Sequence, residues 1–237
     1  MARDATARYW LKNAAYLLGA PAYAALMRVS AARATSDHDR IRLARRVRFR
    51  GYSLQPYQVD QEILELLSEL RVRRARSVVE IGTARGGTLF LMLHALPPDA
   101  HVVSVDLEGG AFGGGYPHWK RLLFHLVALG GPRLSLLRGS SQTPEMRNRV
   151  RQVLGGPADF VLVDGDHSYE GARRDFELYR EIVAPGGFMA FHDIVPGRAE
   201  LVGGVPRLWQ EIKQAHPHRE IVRSWEQGGF GIGILDL

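Results

Sequence analysis

The chain has 237 residues, of which 46% are hydrophobic, and this suits one α/β domain with a sizeable core and an added segment. It contains no cysteine, so disulfides, thiolate metal sites and cysteine nucleophiles are excluded, and a cytoplasmic location is the default expectation. The formal net charge is +6, and the basic clusters lack aromatic interleaving or a known motif, so we do not expect nucleic-acid binding.

Residues 1–58 are predicted to form a helical, arginine-rich extension. Residues 9–27 are fairly apolar but lack the unbroken run of about twenty apolar residues that a membrane span needs; the interruptions are Lys12, Asn13, Gly19 and Pro21. A signal peptide is also disfavoured, since Asp4 lies where basic residues are expected. We predict a pair of short helices here that pack on the domain or on a second subunit, and a homo-oligomer formed through this segment.

Residues 59–237 form the predicted second unit, which begins with a helix over residues 59–70 and then alternates strand and helix patterns. Strands are predicted at residues 77–81, 102–106, 133–137, 159–163, 187–192, 219–224 and 229–235. Helices are predicted at residues 87–96, 116–129, 143–154, 169–183 and 205–215. Strands separated by helices imply a mostly parallel sheet covered on both faces. The last two strands are too close for a parallel crossover, so they must pair antiparallel. The expected fold class is α/β, a Rossmann-like seven-stranded sheet that ends in an antiparallel hairpin.

A glycine turn follows the first predicted strand, in the sequence VVEIGTARGGT (residues 78–88). Gly82 lets the chain reverse, while Gly86 and Gly87 let the next helix approach a ligand and the sheet with its N-terminus, which favours anions. Ala84 replaces the second glycine of a dinucleotide motif, which counts against NAD. Glu80 suits a cationic ligand such as S-adenosylmethionine (SAM), which has an ammonium, a sulfonium and a carboxylate. The candidate cofactor residues of this turn are Glu80, Gly82, Thr83, Gly86, Gly87 and Thr88.

Polar residues also follow the second and third predicted strands, where ligands bind in open α/β sheets. Asp106 occupies the usual place of the carboxylate that accepts the ribose hydroxyls, with Leu107 beside it. After the third strand, Ser140, Ser141 and Gln142 are candidates to bond an adenine edge, and capping of the following helix is an almost equal alternative. The glycine-rich residues 109–115 are predicted to form a loop beside the site.

Ionisable side chains end the fourth and fifth predicted strands, as VDGDH and FHD. Because neighbouring strands lie about 5 Å apart, Asp164 and Asp193 can converge on one hard cation such as Mg²⁺. His167 or His192 could instead act as a base or favour a softer metal, and a structural role remains an alternative for both histidines.

Together, the motifs EIGTARGGT, VDL with GGAFGGGY, DFVLVDGDHSYEGARRDFELY and PGGFMAFHDI resemble the class I SAM-dependent methyltransferases. The similarity covers roughly residues 55–237 and is closest to the group that contains cephalosporin-hydroxylase-like and sugar O-methyltransferase relatives. It implies the SAM-methyltransferase fold over residues 59–237 and a divalent metal. By the pattern of catechol-type O-methyltransferases, Asp164 and Asp193 match metal ligands, Ile194 replaces the third ligand, and His167 matches the catalytic lysine.

We therefore expect a SAM-dependent O-methyltransferase of a small hydroxylated acceptor, natural-product or sugar-like, with Mg²⁺ or another divalent cation as a candidate aid. The expected catalytic residues are His167 and Asp164, where an imidazole near its reference pKa of about 6.5 accepts the hydroxyl proton. Asp164 is also a cofactor candidate, and the metal candidates are Asp164, Asp193 and His192. The alternatives are a metal-dependent hydroxylase, a SAM-binding partner protein without chemistry, and the disfavoured dinucleotide oxidoreductase.

Overall fold

The N-terminal segment is helical and packs on the rest of the chain in the computed structural model, which describes residues 2–49, 51–107 and 115–237, without the side chains of residues 2–12 and 15. Helices α1 (Ala2–Arg33) and α2 (Asp37–Arg46) precede α3 (Asp60–Val72). The predicted pair of short helices is wrong, because α1 continues through Pro21. Although an interior proline costs a helix about 3 kcal/mol or more, α1 packs against helix α5 (Trp119–Ala128). This contact buries side chains on one face of α1, at Ala20, Ala24, Met27 and Ala31.

The sheet has the predicted class, with seven strands in the order β3-β2-β1-β4-β5-β7-β6. The strands are β1 (Ser77–Ile81), β2 (His101–Asp106), β3 (Arg133–Arg138), β4 (Ala158–Val163), β5 (Val183–His192), β6 (His218–Ile221) and β7 (Ile232–Asp236). Strands β1 to β5 pair in parallel, and β7 pairs antiparallel with both β5 and β6. The antiparallel end of the sheet is therefore confirmed.

The connection between β6 and β7 is longer than predicted, because it spans residues 222–231. Glu62 of α3 is fully buried and accepts N–H bonds from Arg223 and Gly231 at 3.2 and 2.9 Å. Its carboxylate also accepts the side-chain amide of Gln227 at 2.7 Å. A side chain of α3, instead of a neighbouring strand, accepts these N–H groups. As a result β6 ends at Ile221, before its predicted limit, and β7 begins at Ile232, after its predicted start.

The remaining helices lie between the strands as predicted, with small differences at their ends. They are α4 (Gly87–Ala95), α5, α6 (Pro144–Leu154), α7 (Tyr169–Tyr179), α8 (Ala199–Val202) and α9 (Val205–Ile212). The predicted helices 169–183 and 205–215 close with 3₁₀ turns at Arg180–Ile182 and Lys213–Ala215, while α8 was not predicted. The glycine-rich loop prediction falls almost entirely on residues 108–114, which lie outside the described residues.

Two apolar cores cover the two faces of the sheet. Val78 packs in the core with helices α1 to α5, whereas its neighbour Val79 packs in the core with α6, α7 and α9. This alternation follows from strand geometry, in which successive side chains point to opposite faces. Because both faces are covered, the polar side chains that end the parallel strands collect at one edge of the sheet. Among the helices that the structure describes, none has the length and apolar character needed to cross a membrane.

Candidate active site

A cavity of about 410 Å³ opens at the carboxyl ends of the parallel strands. It brings together most of the predicted site residues, namely Gly82, Thr83, Gly87, Thr88, Asp106, Leu107, Ser140, Ser141, Gln142, Asp164, His167, His192 and Asp193. Two predicted residues, Glu80 and Gly86, are not among the residues that line it. The edge of the sheet therefore forms one site in which the predicted cofactor, catalytic and metal residues share a cavity.

The glycine turn folds against the carboxylate that ends β2. Gly82 has φ +92°, and a Cβ there would collide with the carbonyl of Asp164. Ala84 also adopts a left-handed φ of +44°, a conformation that costs a non-glycine residue of order 1–3 kcal/mol and persists where its surroundings hold it. Here the backbone N–H groups of Thr83 and Ala84 donate to Asp106 Oδ2 at 3.0 and 2.9 Å.

Asp106 also organises the other side of the turn, because its Oδ1 accepts the N–H groups of Leu107 and Gly115 at 2.7 and 2.9 Å. Its carboxylate is therefore anchored by four backbone donors and lines the cavity at a fixed position. Binding of ribose hydroxyls by Asp106 stays a prediction.

The glycines at the start of α4 leave room for neighbouring elements. A Cβ on Gly86, at φ +79°, would collide with the Phe124 ring of α5, and a Cβ on Gly87 would collide with the backbone of Gln55 and Pro56. Both glycines let a helix and the segment before α3 pack onto the turn. The expected approach of the helix N-terminus to a ligand and to the sheet stays a prediction.

Glu80 lies fully buried beside the hydroxyls of Thr83 and Ser104. Burial raises its pKa to about 8, and the charges of Asp164 and Asp106 contribute to the rise. The carboxyl is consequently protonated at neutral pH. Because the side chain does not line the cavity and holds its proton, a contact between Glu80 and a cationic ligand stays a prediction.

The capping alternative for Ser140, Ser141 and Gln142 is also wrong. The N-cap of α6 is Thr143, whose Oγ1 accepts the N–H of Met146 at 3.2 Å. Gln142 instead donates through Nε2 to Asp166 Oδ2 at 2.9 Å. Since none of the three side chains caps the helix, all of them contribute polar groups to the cavity wall.

Two carboxylates and two imidazoles form a cluster at the ends of β4 and β5. Asp164 Oδ1 lies 3.0 Å from His192 Nδ1 and 3.7 Å from His167 Nε2. Asp193 Oδ2 lies 3.4 Å from Nδ1 of each histidine, and its Oδ1 accepts the N–H of Phe230 at 3.0 Å. Asp193 is held at φ +64°, and strained positions of this kind collect at functional sites.

The pKa values in this cluster show that its charges are paired. Burial alone would raise the pKa of Asp164, but His192 and His167 outweigh it and hold that pKa well below its usual range. For the two rings, burial is outweighed by Asp164 and Asp193 together, with the Leu201 carbonyl adding to the effect on His167. The pKa of His167 rises to about 9, and that of His192 also lies well above 6.5. The expectation of an ordinary pKa for His167 is therefore wrong, because this ring is an imidazolium at neutral pH.

A metal ligand set is present, with a membership that differs from the prediction. Ligand atoms of Asp164, His167 and Asp193 lie within 4.8 Å of one another. His192 is not in this group, although its Nδ1 lies 3.0 Å from Asp164 Oδ1. Ile194 is fully buried. The described residues thus supply two carboxylates and one imidazole, a donor set that fits a divalent cation with water completing the shell.

Sequence reasoning missed the part of the wall that comes from outside the alternating strands and helices. The missed residues include Gln55, Pro56, Tyr57, Gln58, Glu200, Leu201 and Phe230. One signal for Gln58 was present before α3. The N-cap of this helix is Val59, which has no side-chain cap, so Gln58 beside it is a polar residue without a capping role. The remaining residues come from loops and from the short helix α8, which was not predicted.

Replacing Glu80 by glutamine should stabilise the protein at alkaline pH. The unfolded carboxyl ionises near 4.5, whereas the folded one holds its proton up to about 8. This contribution is therefore present below pH 4.5 and is lost as the pH rises toward 8. We expect Glu80→Gln to gain roughly 3–5 kcal/mol on the wild type between pH 5 and 8.5, measured by denaturant unfolding.

Glu62→Gln is the matched control for this substitution. Glu62 is equally buried, but its carboxylate accepts three hydrogen bonds that an amide cannot all accept. Glu62→Gln should therefore lower the free energy of unfolding at both pH 5 and pH 8.5. A Glu80→Gln variant whose advantage does not grow with pH would show that Glu80 is charged in the folded state.

Comparison with known proteins identifies the domain. Residues 79–194 match the family model described as a methyltransferase domain. An uncharacterised protein of Acanthamoeba polyphaga mimivirus is 27% identical over 137 residues, which are 58% of this chain and 60% of that relative. The chain thus matches less than two thirds of the length of this relative.

Solved structures of similar fold include the O-methyltransferase from Bacillus cereus in complex with SAH (S-adenosylhomocysteine). It has a TM-score of 0.55 and 19% identity, and the match covers 77% of this chain and 84% of that one. The O-methyltransferase TomG from Streptomyces achromogenes, involved in tomaymycin synthesis and solved with SAM, has a TM-score of 0.53 and 19% identity over 73% and 78% of the two chains. The family match and the shared fold confirm the resemblance to the class I SAM-dependent methyltransferases, with the match to a methyltransferase domain confined to residues 79–194.

Proposed function

We propose that this chain transfers the methyl group of SAM to a hydroxyl group of a small acceptor, natural-product or sugar-like. The observation that carries the proposal is the cluster of Asp164, Asp193, His167 and His192, which shares one cavity with the glycine turn. The part beside the glycine turn can hold a nucleoside, and the part lined by the cluster can accept or donate a proton. Two proteins of similar fold are O-methyltransferases solved with SAH or SAM, which supports this choice.

SAM fits the polar groups around the glycine turn. Asp106 is held at the end of β2 and is the acceptor available to ribose hydroxyls, while Ser140, Ser141 and Gln142 provide donors and acceptors for an adenine edge. Gly82 leaves the turn open where a side chain would collide with the neighbouring strand end. When bound, SAM supplies the methyl group on a sulfonium, and SAH is the leaving group.

The acid and imidazole cluster would orient the acceptor hydroxyl and remove its proton. His167 lies beside both carboxylates, and its Nδ1 also contacts the carbonyl of Leu201 at 2.5 Å. At neutral pH the ring is charged and donates hydrogen bonds. Its role as base therefore requires loss of that proton first, at higher pH, whereas a cation in place of the proton would make the ring a ligand. Asp164 would orient the ring in either case.

Assistance by a divalent cation is part of this proposal. Asp164 and Asp193 would hold it, with His167 as the third ligand in reach. Its chemistry would be to lower the pKa of the acceptor hydroxyl. A metal-dependent hydroxylase built on His167, His192 and Asp193 is less well supported, because the group of ligand atoms near one another consists of Asp164, His167 and Asp193. A SAM-binding protein without chemistry is distinguished by product formation under multiple turnover.

The other expectations remain predictions, namely the unit boundary at residue 58, a cytoplasmic location, the absence of nucleic-acid binding, and a homo-oligomer through the N-terminal segment. For association, α1 has an exposed apolar surface at Leu18, Leu26 and Val29. A second subunit would cover this surface.

SAM should bind to the purified protein and NAD should not, because Ala84 stands where a pyrophosphate needs glycine. Asp106→Asn should weaken SAM binding by roughly 1.5–3 kcal/mol, the loss expected for a hydrogen bond to a charged group. Isothermal calorimetry measures both. Asp159→Asn is the control, since Asp159 accepts two backbone N–H groups at 2.8 Å at the opposite edge of the sheet. Tight NAD binding without SAM binding would contradict the proposed function.

Removal of divalent cations should abolish turnover, followed as SAH release with a panel of hydroxylated acceptors. Mg²⁺ or Mn²⁺ should restore it, and elemental analysis should find about one ion per chain in the wild type but none in Asp193→Asn, because two carboxylates form most of the ligand set. Full turnover in chelator with no bound ion would assign Asp164 and Asp193 to a metal-free role.

His167→Ala should lower turnover about a hundredfold or more while SAM affinity stays nearly unchanged, the loss expected for a general base. Should turnover persist in chelator, it should rise with pH and be half-maximal near pH 9, because His167 must be neutral to accept a proton and its pKa is about 9. The exposed His218 on β6 provides the control, His218→Ala. Near-normal turnover of His167→Ala would place the base elsewhere.

A further inference from the structure

A glutamine from outside the matched methyltransferase domain bridges two walls of the cavity. Gln58 Oε1 accepts the hydroxyl of Thr88, in the first turn of α4, at 2.7 Å. Its Nε2 donates to Asp164 Oδ2, at the end of β4, at 2.8 Å. The side chain is only 3% exposed and lines the cavity. One side chain thus connects the helix of the glycine turn with the proposed catalytic carboxylate.

Hydrogen-bonding chemistry fixes the direction of this bridge. An ionised carboxylate can only accept hydrogen bonds, so the amide nitrogen of Gln58 must face Asp164. The amide oxygen then faces Thr88, whose hydroxyl can donate to it. Because Gln58 occupies Oδ2, the other oxygen of Asp164 is directed to His192 at 3.0 Å. The rotation of the catalytic carboxylate is therefore set by Gln58.

The backbone that carries Gln58 is held in turn by Arg45 of α2. This guanidinium donates to the carbonyls of Gln58 and Pro56 at 2.7 and 3.3 Å, and to the carboxylate of Asp60 at 2.6 Å. The same segment lies on Gly87 so closely that a Cβ there would collide with Pro56. Residues 55–58 are thus fixed between α2 and α4.

We propose that Gln58 is a positioning residue for the active site. Residues 55–58 carry its side chain to the cavity, and Arg45 holds their backbone in place. It fixes Asp164 and the first turn of α4 before a ligand enters, so less ordering remains to be done on binding. The arginine-rich helices before α3 therefore serve the site as well as the core. The inference rests on the proposed function, because SAH is the ligand whose affinity is measured.

Gln58→Met tests the proposal, because methionine keeps a similar volume and loses both hydrogen bonds. We expect SAH affinity by calorimetry to fall about tenfold, the size expected for one hydrogen bond to a charged group, while the melting temperature changes little. Gln58→Glu keeps the shape but cannot donate to Asp164 when ionised, so it should lose at least as much. Gln61→Met is the control, since Gln61 is exposed and contacts only Glu65 on its own helix.

Arg45→Met should reproduce the loss through the backbone segment, whereas Arg42→Met on the same helix should not, because Arg42 is exposed and pairs with Asp39. Wild-type SAH affinity in Gln58→Met and Gln58→Glu would overturn the proposal. A fall in affinity that merely follows a lower melting temperature would also overturn it, since that outcome indicates a purely structural role.

Hydrogen exchange without any ligand provides a second readout. Peptides covering residues 83–92 should exchange about tenfold faster in Gln58→Met and Arg45→Met than in the wild type, by loss of about 1.4 kcal/mol of local protection. The two control variants should exchange like the wild type. If the wild type fails to bind SAH, the proposed function fails and this measurement alone decides the positioning role. Unchanged exchange would then overturn it.

Discussion

The structure depends on one electrostatic constraint, the placement of two carboxylates at the ends of adjacent buried strands. Strands β4 and β5 pair in parallel, with Val163 opposite Phe191, so the next residues, Asp164 and His192, lie side by side. Asp193 follows immediately and is 6% exposed. Two unpaired carboxylates in such a position would be costly, because burial disfavours charge. His167 and His192 make the arrangement possible by facing both of them.

Support for each carboxylate comes from the region around the start of α3. Gln58 holds Asp164, while Glu62 holds the loop of residues 222–231, in which the Phe230 N–H holds Asp193. The two supporting residues are four positions apart, one before the N-cap of α3 and one in its first turn. The region before residues 79–194 thus supports both carboxylates of the proposed catalytic edge, Asp164 directly and Asp193 through the loop. This dependence explains why the N-terminal helices share a core with the domain instead of forming a separate unit.

Local pattern was sufficient to predict the sheet and to bring most of the candidate site residues to one cavity, because strands and glycine turns leave short-range signals and parallel strands end at one edge. It was insufficient where partners are distant in the chain. Gln58 and Asp164 are 106 positions apart, and Glu62 and Gly231 are 169 apart. The burial of the Glu80 side chain and the pKa of His167 likewise depend on residues that a local sequence pattern does not indicate. The strand ends near residues 222–231 were misplaced for the same reason, since a helix side chain takes their N–H groups.

The same constraint relates the two versions of the proposed chemistry. Paired carboxylates need positive charge nearby, and either two imidazoliums or a divalent cation can provide it. Because metal ligands must be deprotonated, a cation that enters the cluster of Asp164, His167 and Asp193 has to displace the proton of His167. That exchange would convert the ring from a donor to a ligand. Metal and proton would therefore compete for one place in the proposed mechanism, at the edge of the sheet where these carboxylates lie.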